Sequence, residues 1–94
     1  MGIVQNIREF YKIDNGENSL IFFETDEFEL IFLSDEKRIN EMYHILSKAI
    51  YKNDFIIKGT TTTIEIKVGE ENIVFNRNDF TCYMFNKEEY KEVV

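Results

Sequence analysis

An amphipathic stripe between residues 34 and 53 constrains this chain more than any other feature. Ile39, Met42, Tyr43, Leu46, Ala49 and Ile50 recur at the i, i+3, i+4 and i+7 spacing of one helix face. Both ends carry matching signals. Ser34 offers a hydroxyl to the orphan amides of the first turn, and Asp35 and Glu36 place negative charge at the positive end of the helix dipole. Lys48 and Lys52 place positive charge at the other end, and Asn53 suits a left-handed cap. Such a helix must bury its stripe against a neighbouring layer, so the flanking segments set the fold class.

Upstream, residues 19–24 and 28–33 are rich in β-formers and flank Thr25-Asp26-Glu27, a pattern that predicts an antiparallel hairpin. Phe28, Leu30 and Phe32 face one way while Ile31 and Leu33 face the other, so both faces of this sheet are expected to be covered. The central helix covers one, which leaves the other to an N-terminal helix, a second layer or a partner chain. Residues 3–12 place Ile3, Val4, Ile7, Phe10 and Tyr11 on one helical stripe and predict a short helix capped by Asn15-Gly16. The competing reading makes 9–13 a strand, for which Asn15-Gly16 is a hairpin signal.

Downstream, the pattern predicts a brief strand over 55–58, a bend at Gly59 and an alternating strand over 61–68. A turn at 69–72, a strand at 73–75, a turn at 76–79 and a strand at 80–85 follow. Asn86 and Glu89 then stand at capping-box spacing before a helix carrying Tyr90 and Val93. The expected order is α-β-β-α-β-β-β-β-α. That is an α+β protein, a single domain over 1–94, with an antiparallel sheet of about five to six strands packed on the central helix.

Composition narrows the function classes. Nine Phe and five Tyr spread along 94 residues argue for a packed core, and no apolar run reaches the roughly 20 residues of a membrane span. The N-terminus lacks a basic region followed by an apolar stretch, so a cytoplasmic location is expected. Proline and tryptophan are absent while Ile, Asn, Lys, Glu, Phe and Tyr abound, a bias that by the genetic code points to a low-GC bacterium or a phage or plasmid within one. One cysteine, Cys82, and one histidine, His44, exclude a disulfide framework and a cysteine-rich zinc site, so no metal or other cofactor is expected.

No residue set forms a catalytic signature, and the chain is read as a non-enzyme. His44 falls on the helix side opposite the stripe, and Cys82 alternates with Phe80 and Met84 on the expected inner side of its strand, where it reads as an inert thiol. The oxygen-rich residues 14–18 lack the spacing of a calcium loop. Glu24 and Glu29 could resemble a two-carboxylate site, but they read equally as a solvated rim.

Charge is more informative. Residues 1–36 carry two bases and nine acids, net −7, whereas residues 37–94 carry nine of each and sum to zero, so the whole excess sits at the front. No base occurs from Asp14 to Glu36. Same-face residues of a strand stand about 6.6 to 6.8 Å apart, close to the separation of successive phosphates, so a carboxylate rim along a strand can imitate a nucleic-acid backbone.

The absence of a basic stripe disfavours direct nucleic-acid binding. The expected function is therefore an acidic protein-protein interaction domain that occupies a basic site on a larger protein, such as a nuclease or another nucleic-acid-binding protein. Glu24, Asp26, Glu27, Glu29, Asp35 and Glu36 form the expected charged surface, and Phe23 and Phe28 its anchors. In size and charge the chain is similar to small acidic inhibitors from mobile elements, including phage anti-CRISPR and DNA-mimic proteins, a likeness of class carried by no motif. Alternatives are a toxin-immunity protein, a small adaptor or structural subunit, and an oligomer, such as a homodimer, that sequesters a ligand between subunits.

Overall fold

A computed structural model describes residues 7–87. The described residues form an α+β fold of seven antiparallel strands and one long helix. The strands are β1 (Ile7–Ile13), β2 (Ser19–Thr25), β3 (Phe28–Ser34), β4 (Phe55–Gly59), β5 (Thr63–Val68), β6 (Glu71–Asn76) and β7 (Thr81–Asn86). The helix α1 (Glu36–Lys52) follows β3. They form two sheets rather than the single sheet expected, one ordered β1-β2-β3-β7 and one ordered β4-β5-β6.

Helix α1 follows its sequence pattern closely. Ile39, Met42, Leu46 and Ala49 are fully buried, while Ile50 and Tyr43 are half-buried at the stripe's margins. The N-cap is Asp35 rather than Ser34, its side chain accepting from the Arg38 amide at 2.8 Å. Ser34 ends β3 instead and donates its hydroxyl to the Asp79 carbonyl at 2.6 Å. A carboxylate also suits the dipole better than a hydroxyl does. At the other end Asn53 adopts the left-handed conformation, φ 54°, and its amide donates to the carbonyls of Ala49 and Ile50.

The N-terminal segment departs from the helical expectation. Residues 7–13 form β1, hydrogen-bonded to β2, and the alternative strand reading with its Asn15-Gly16 turn is the one realised. Strand pairing gives these amides partners along β2 that would otherwise face solvent, and it swings Phe10 inward. There the ring stacks on Tyr43 of the helix at 4.6 Å and meets Phe23 edge-on at 5.9 Å. Gly16 takes the turn's positive φ, and the buried Ser19 hydroxyl closes the loop by accepting from the Asn15 amide and donating to the Gly16 carbonyl. Residues 3–6 of the expected helix, and Glu89, Tyr90 and Val93 of the expected C-terminal one, lie outside the described residues.

The inner faces of both sheets and the helix stripe enclose one core. Ile21 and Phe32 meet Ile64, Ile66 and Val68 across it. Edge-on aromatic contacts join the sheets, Phe23 to Phe55 at 6.2 Å and Phe80 to both Phe32 and Phe75. Among the described residues no helix is long and apolar enough to cross a membrane.

Candidate functional site

Because β1 joins the first sheet's edge, it enlarges the sheet's outer face instead of covering it. The register aligns that face into three rows across β1, β2, β3 and β7. The first row is Glu9, Glu24, Glu29 and Phe85. The second is Tyr11, Phe22, Ile31 and Tyr83, and the third is Ile13, Leu20, Leu33 and Thr81.

Tyr11, Ile13, Tyr83 and Phe85 are 41%, 49%, 49% and 40% exposed, and the central Leu20, Phe22, Ile31 and Leu33 are half-buried by their neighbours. Tyr11 and Phe22 stack at 5.2 Å. The second and third rows, apolar apart from Thr81, project onto roughly 250 Å², given about 4.8 Å between strands and about 6.7 Å between rows, a little below the roughly 300 to 600 Å² of the largest apolar patch on a typical monomer. The second sheet's outer face differs: there Lys58, Glu65, Lys67 and Asn72 alternate around Ile56 and Val74.

The acidic row borders this surface. Glu9, Glu24 and Glu29 lie on adjacent strands, so the carboxylates run across the strands at strand spacing rather than along one strand at the phosphate-like 6.6 to 6.8 Å. Cations remote in sequence temper the β2–β3 turn. Lys87 reaches Glu24 and the Thr25 carbonyl through its ammonium, and its amide donates to the Glu27 carbonyl. Arg8 pairs with Asp26. Buried Thr25 shapes the turn by accepting from the amides of Glu27 and Phe28. Among the described residues Glu9 and Glu29 have no ion-pair partner, so the row keeps its negative character.

Several expected site residues fall elsewhere. Phe23 is fully buried, which corrects its expected role as an anchor, since a side chain with no accessible surface presents nothing to a partner. Its sequence neighbour Phe22 points outward in its place. Phe28 lies on the inner side, stacked against Phe23 at 6.2 Å. Asp35 caps the helix and pairs with Arg38, and it and exposed Glu36 lie beyond the far end of β3, about 20 Å along the strand from Glu29. The expected acidic surface is thus two separate patches.

The outward sides of Tyr11, Ile13, Phe22, Ile31, Tyr83 and Phe85 were not nominated from the sequence. The signal was present in the two-faced alternation of residues 28–33, but its continuation onto β1 and β7 depends on long-range pairing.

The remaining chemical candidates stay apart. His44 is exposed on the helix's outer side, while Cys82 faces inward opposite Phe32, and no contact joins them. Burial pushes the Cys82 thiol up and so favours its protonated, less nucleophilic form, an effect that the Arg77 guanidinium opposes in part. Arg8, Lys12 and Arg38 are each paired with Asp26, Asp14, and Asp35 with Asp79, so they do not converge with Arg77 on a common anion site. Among the described residues no group of three or more His, Cys, Asp or Glu side chains could hold a metal ion. Comparison with protein-family models, curated proteins and solved structures finds no match.

Proposed function

We propose that this protein is a non-enzymatic binding domain of a bacterial or phage-infected cytoplasm that docks the outer face of its four-stranded sheet onto a larger protein with basic side chains beside an apolar patch. The observation that carries the reading is the three-row surface itself, aromatic and aliphatic over two rows and acidic at one end. An interface of ordinary size buries about 800 Å² per partner. The apolar rows supply its central part and leave the remainder to a rim, which at the β2–β3 end is anionic. Charge complementarity therefore selects a basic partner and speeds encounter, as an inhibitor of a nuclease or another nucleic-acid-binding protein requires.

Self-association suits the surface less well. A twofold axis along the strands sets the acidic rows against each other, and one across the strands sets them on Ile13, Leu20 and Leu33, unless the copies slide by a row.

The test compares wild type with Tyr11→Lys/Tyr83→Lys on the sheet face and with Tyr51→Lys on the helix, all exposed positions, as bait in a low-GC bacterial lysate. A basic protein retained by wild type and Tyr51→Lys, weakened by salt and lost from the double variant, is the expected result. Retention unaffected by the double variant overturns the proposal. A wild-type dimer that the double variant abolishes, with no basic protein retained, assigns the face to a second copy instead.

A further inference from the structure

A second opening lies on the opposite side of the four-stranded sheet, where the two sheets diverge. It is a cleft of about 240 Å³ between β3 and β7 on one wall and β4 and β5 on the other. Leu30, Phe32, Ile57, Ile64, Cys82 and Met84 line it, an almost wholly apolar set. Met84 pairs with Leu30 on the inner side of the sheet yet is 63% exposed, because the second sheet does not extend over it.

One charge stands in this lining. The Arg77 guanidinium lies over Gly59, close enough that a Cβ there would come within 3.2 Å of Nη1. Nη1 donates to the Thr60 carbonyl at 2.8 Å, and among the described residues the side chain has no carboxylate partner, whereas the other two arginines, Arg8 and Arg38, hold one or two. A guanidinium has five N–H donors, so most of its capacity is unused among the described residues.

From this juxtaposition we infer that the cleft is a binding site for a small amphipathic monoanion, a carboxylate on a short aliphatic chain or single ring, with its apolar body between the sheets and its head on Arg77. The volume falls below the 300 to 1,000 Å³ of drug-sized pockets, which limits the occupant to a small one. Among the described residues Arg77 is the one base in the lining, which matches one negative charge and not a nucleotide's several, and the guanidinium fork matches a carboxylate in geometry. The inference does not rest on the reading of the outer sheet face, although Tyr83 of that face also borders the cleft.

The test follows amide spectra of the full chain during titration with sodium octanoate and, separately, with 1-octanol. Octanoate is expected to shift Gly59, Ile64, Cys82 and Met84 saturably, with a dissociation constant on the order of 1 mM or below, and to bind more tightly than octanol. Arg77→Gln should weaken octanoate about tenfold, the loss of one charge-assisted contact, and leave octanol unchanged. Met84→Glu, at an exposed position, tests the same charge preference by repulsion if Arg77→Gln does not fold. The inference is overturned by the absence of saturable shifts, by shifts confined to outer-face residues such as Phe22 and Ile31, by octanol binding as tightly as octanoate, or by octanoate affinity unchanged in the folded variants.

Discussion

Phe22 and Phe23 are adjacent in sequence and opposite in environment, which makes their truncation a direct measure of whether the outer sheet face is open. Phe23 has no accessible surface and touches the rings of Phe10, Phe28 and Phe55, so Phe23→Ala removes a fully buried side chain and leaves a cavity in a packed core. That costs about 3 to 5 kcal/mol. Phe22 is half-buried and its ring contact is the stack on Tyr11. Half of a Phe burial is worth about 1 kcal/mol and the stack about 0.5 to 1, with no cavity term because solvent fills the space, so Phe22→Ala should cost about 1.5 to 2 kcal/mol.

Against a total stability of about 5 to 15 kcal/mol the difference is large. Urea denaturation followed by circular dichroism resolves it, since with a slope of about 1 to 3 kcal/mol per molar the Phe23 variant should show roughly twice the midpoint shift of the Phe22 variant. In thermal melts each kcal/mol corresponds to about 4 to 8 °C for a domain of this size. Equal losses would refute the reasoning, because they would mean that Phe22 is as deeply covered as Phe23. Losses that become equal only at high protein concentration would place a second copy on the face.

Two further outcomes rest on single residues. The Cys82 thiol, held above its ordinary value by burial, should react with iodoacetamide at pH 8.5 more slowly in the folded protein than in urea. A raised folded-state value also means that its contribution to stability is complete below the unfolded thiol's titration near pH 8.5 and is lost as pH rises through the folded one, so wild type should lose stability over that window faster than Cys82→Ser. Asn53 occupies the left-handed region at φ 54°, so Asn53→Ala should cost about 1 kcal/mol while Asn53→Gly stays within about 0.5 kcal/mol of wild type, both measured by chemical denaturation.

The local elements were legible in the sequence wherever one physical signal acted alone. The stripe from Ile39 to Ala49 could bury itself only as a helix, and Asn53 could close it because a short amide side chain tolerates the left-handed region. The alternation of Ile64, Ile66 and Val68 against Glu65 and Lys67 allowed only a half-buried strand, and the structure buries those three residues. Residues 7–13 carried two signals of similar strength. Phe10 and Tyr11 fit a helical stripe as well as opposite sides of a strand, and the choice fell to hydrogen bonds along the edge of β2, which no local pattern contains.

Charge shows the same division. The sequence alone determined the net −7 and its concentration ahead of residue 37. Tertiary structure alone decided that Lys87, 63 positions away, neutralises Glu24, that Arg8 reaches Asp26, and that Asp35 and Glu36 sit at the far end of β3 from Glu29. It also decided which Phe faces out. Sequence alternation established that Phe22 and Phe23 lie on opposite sides of β2, but only the packing of the helix and the second sheet against one of those sides determined that Phe23 is core and Phe22 is surface, because burial is a property of what covers a face and not of the residues that form it.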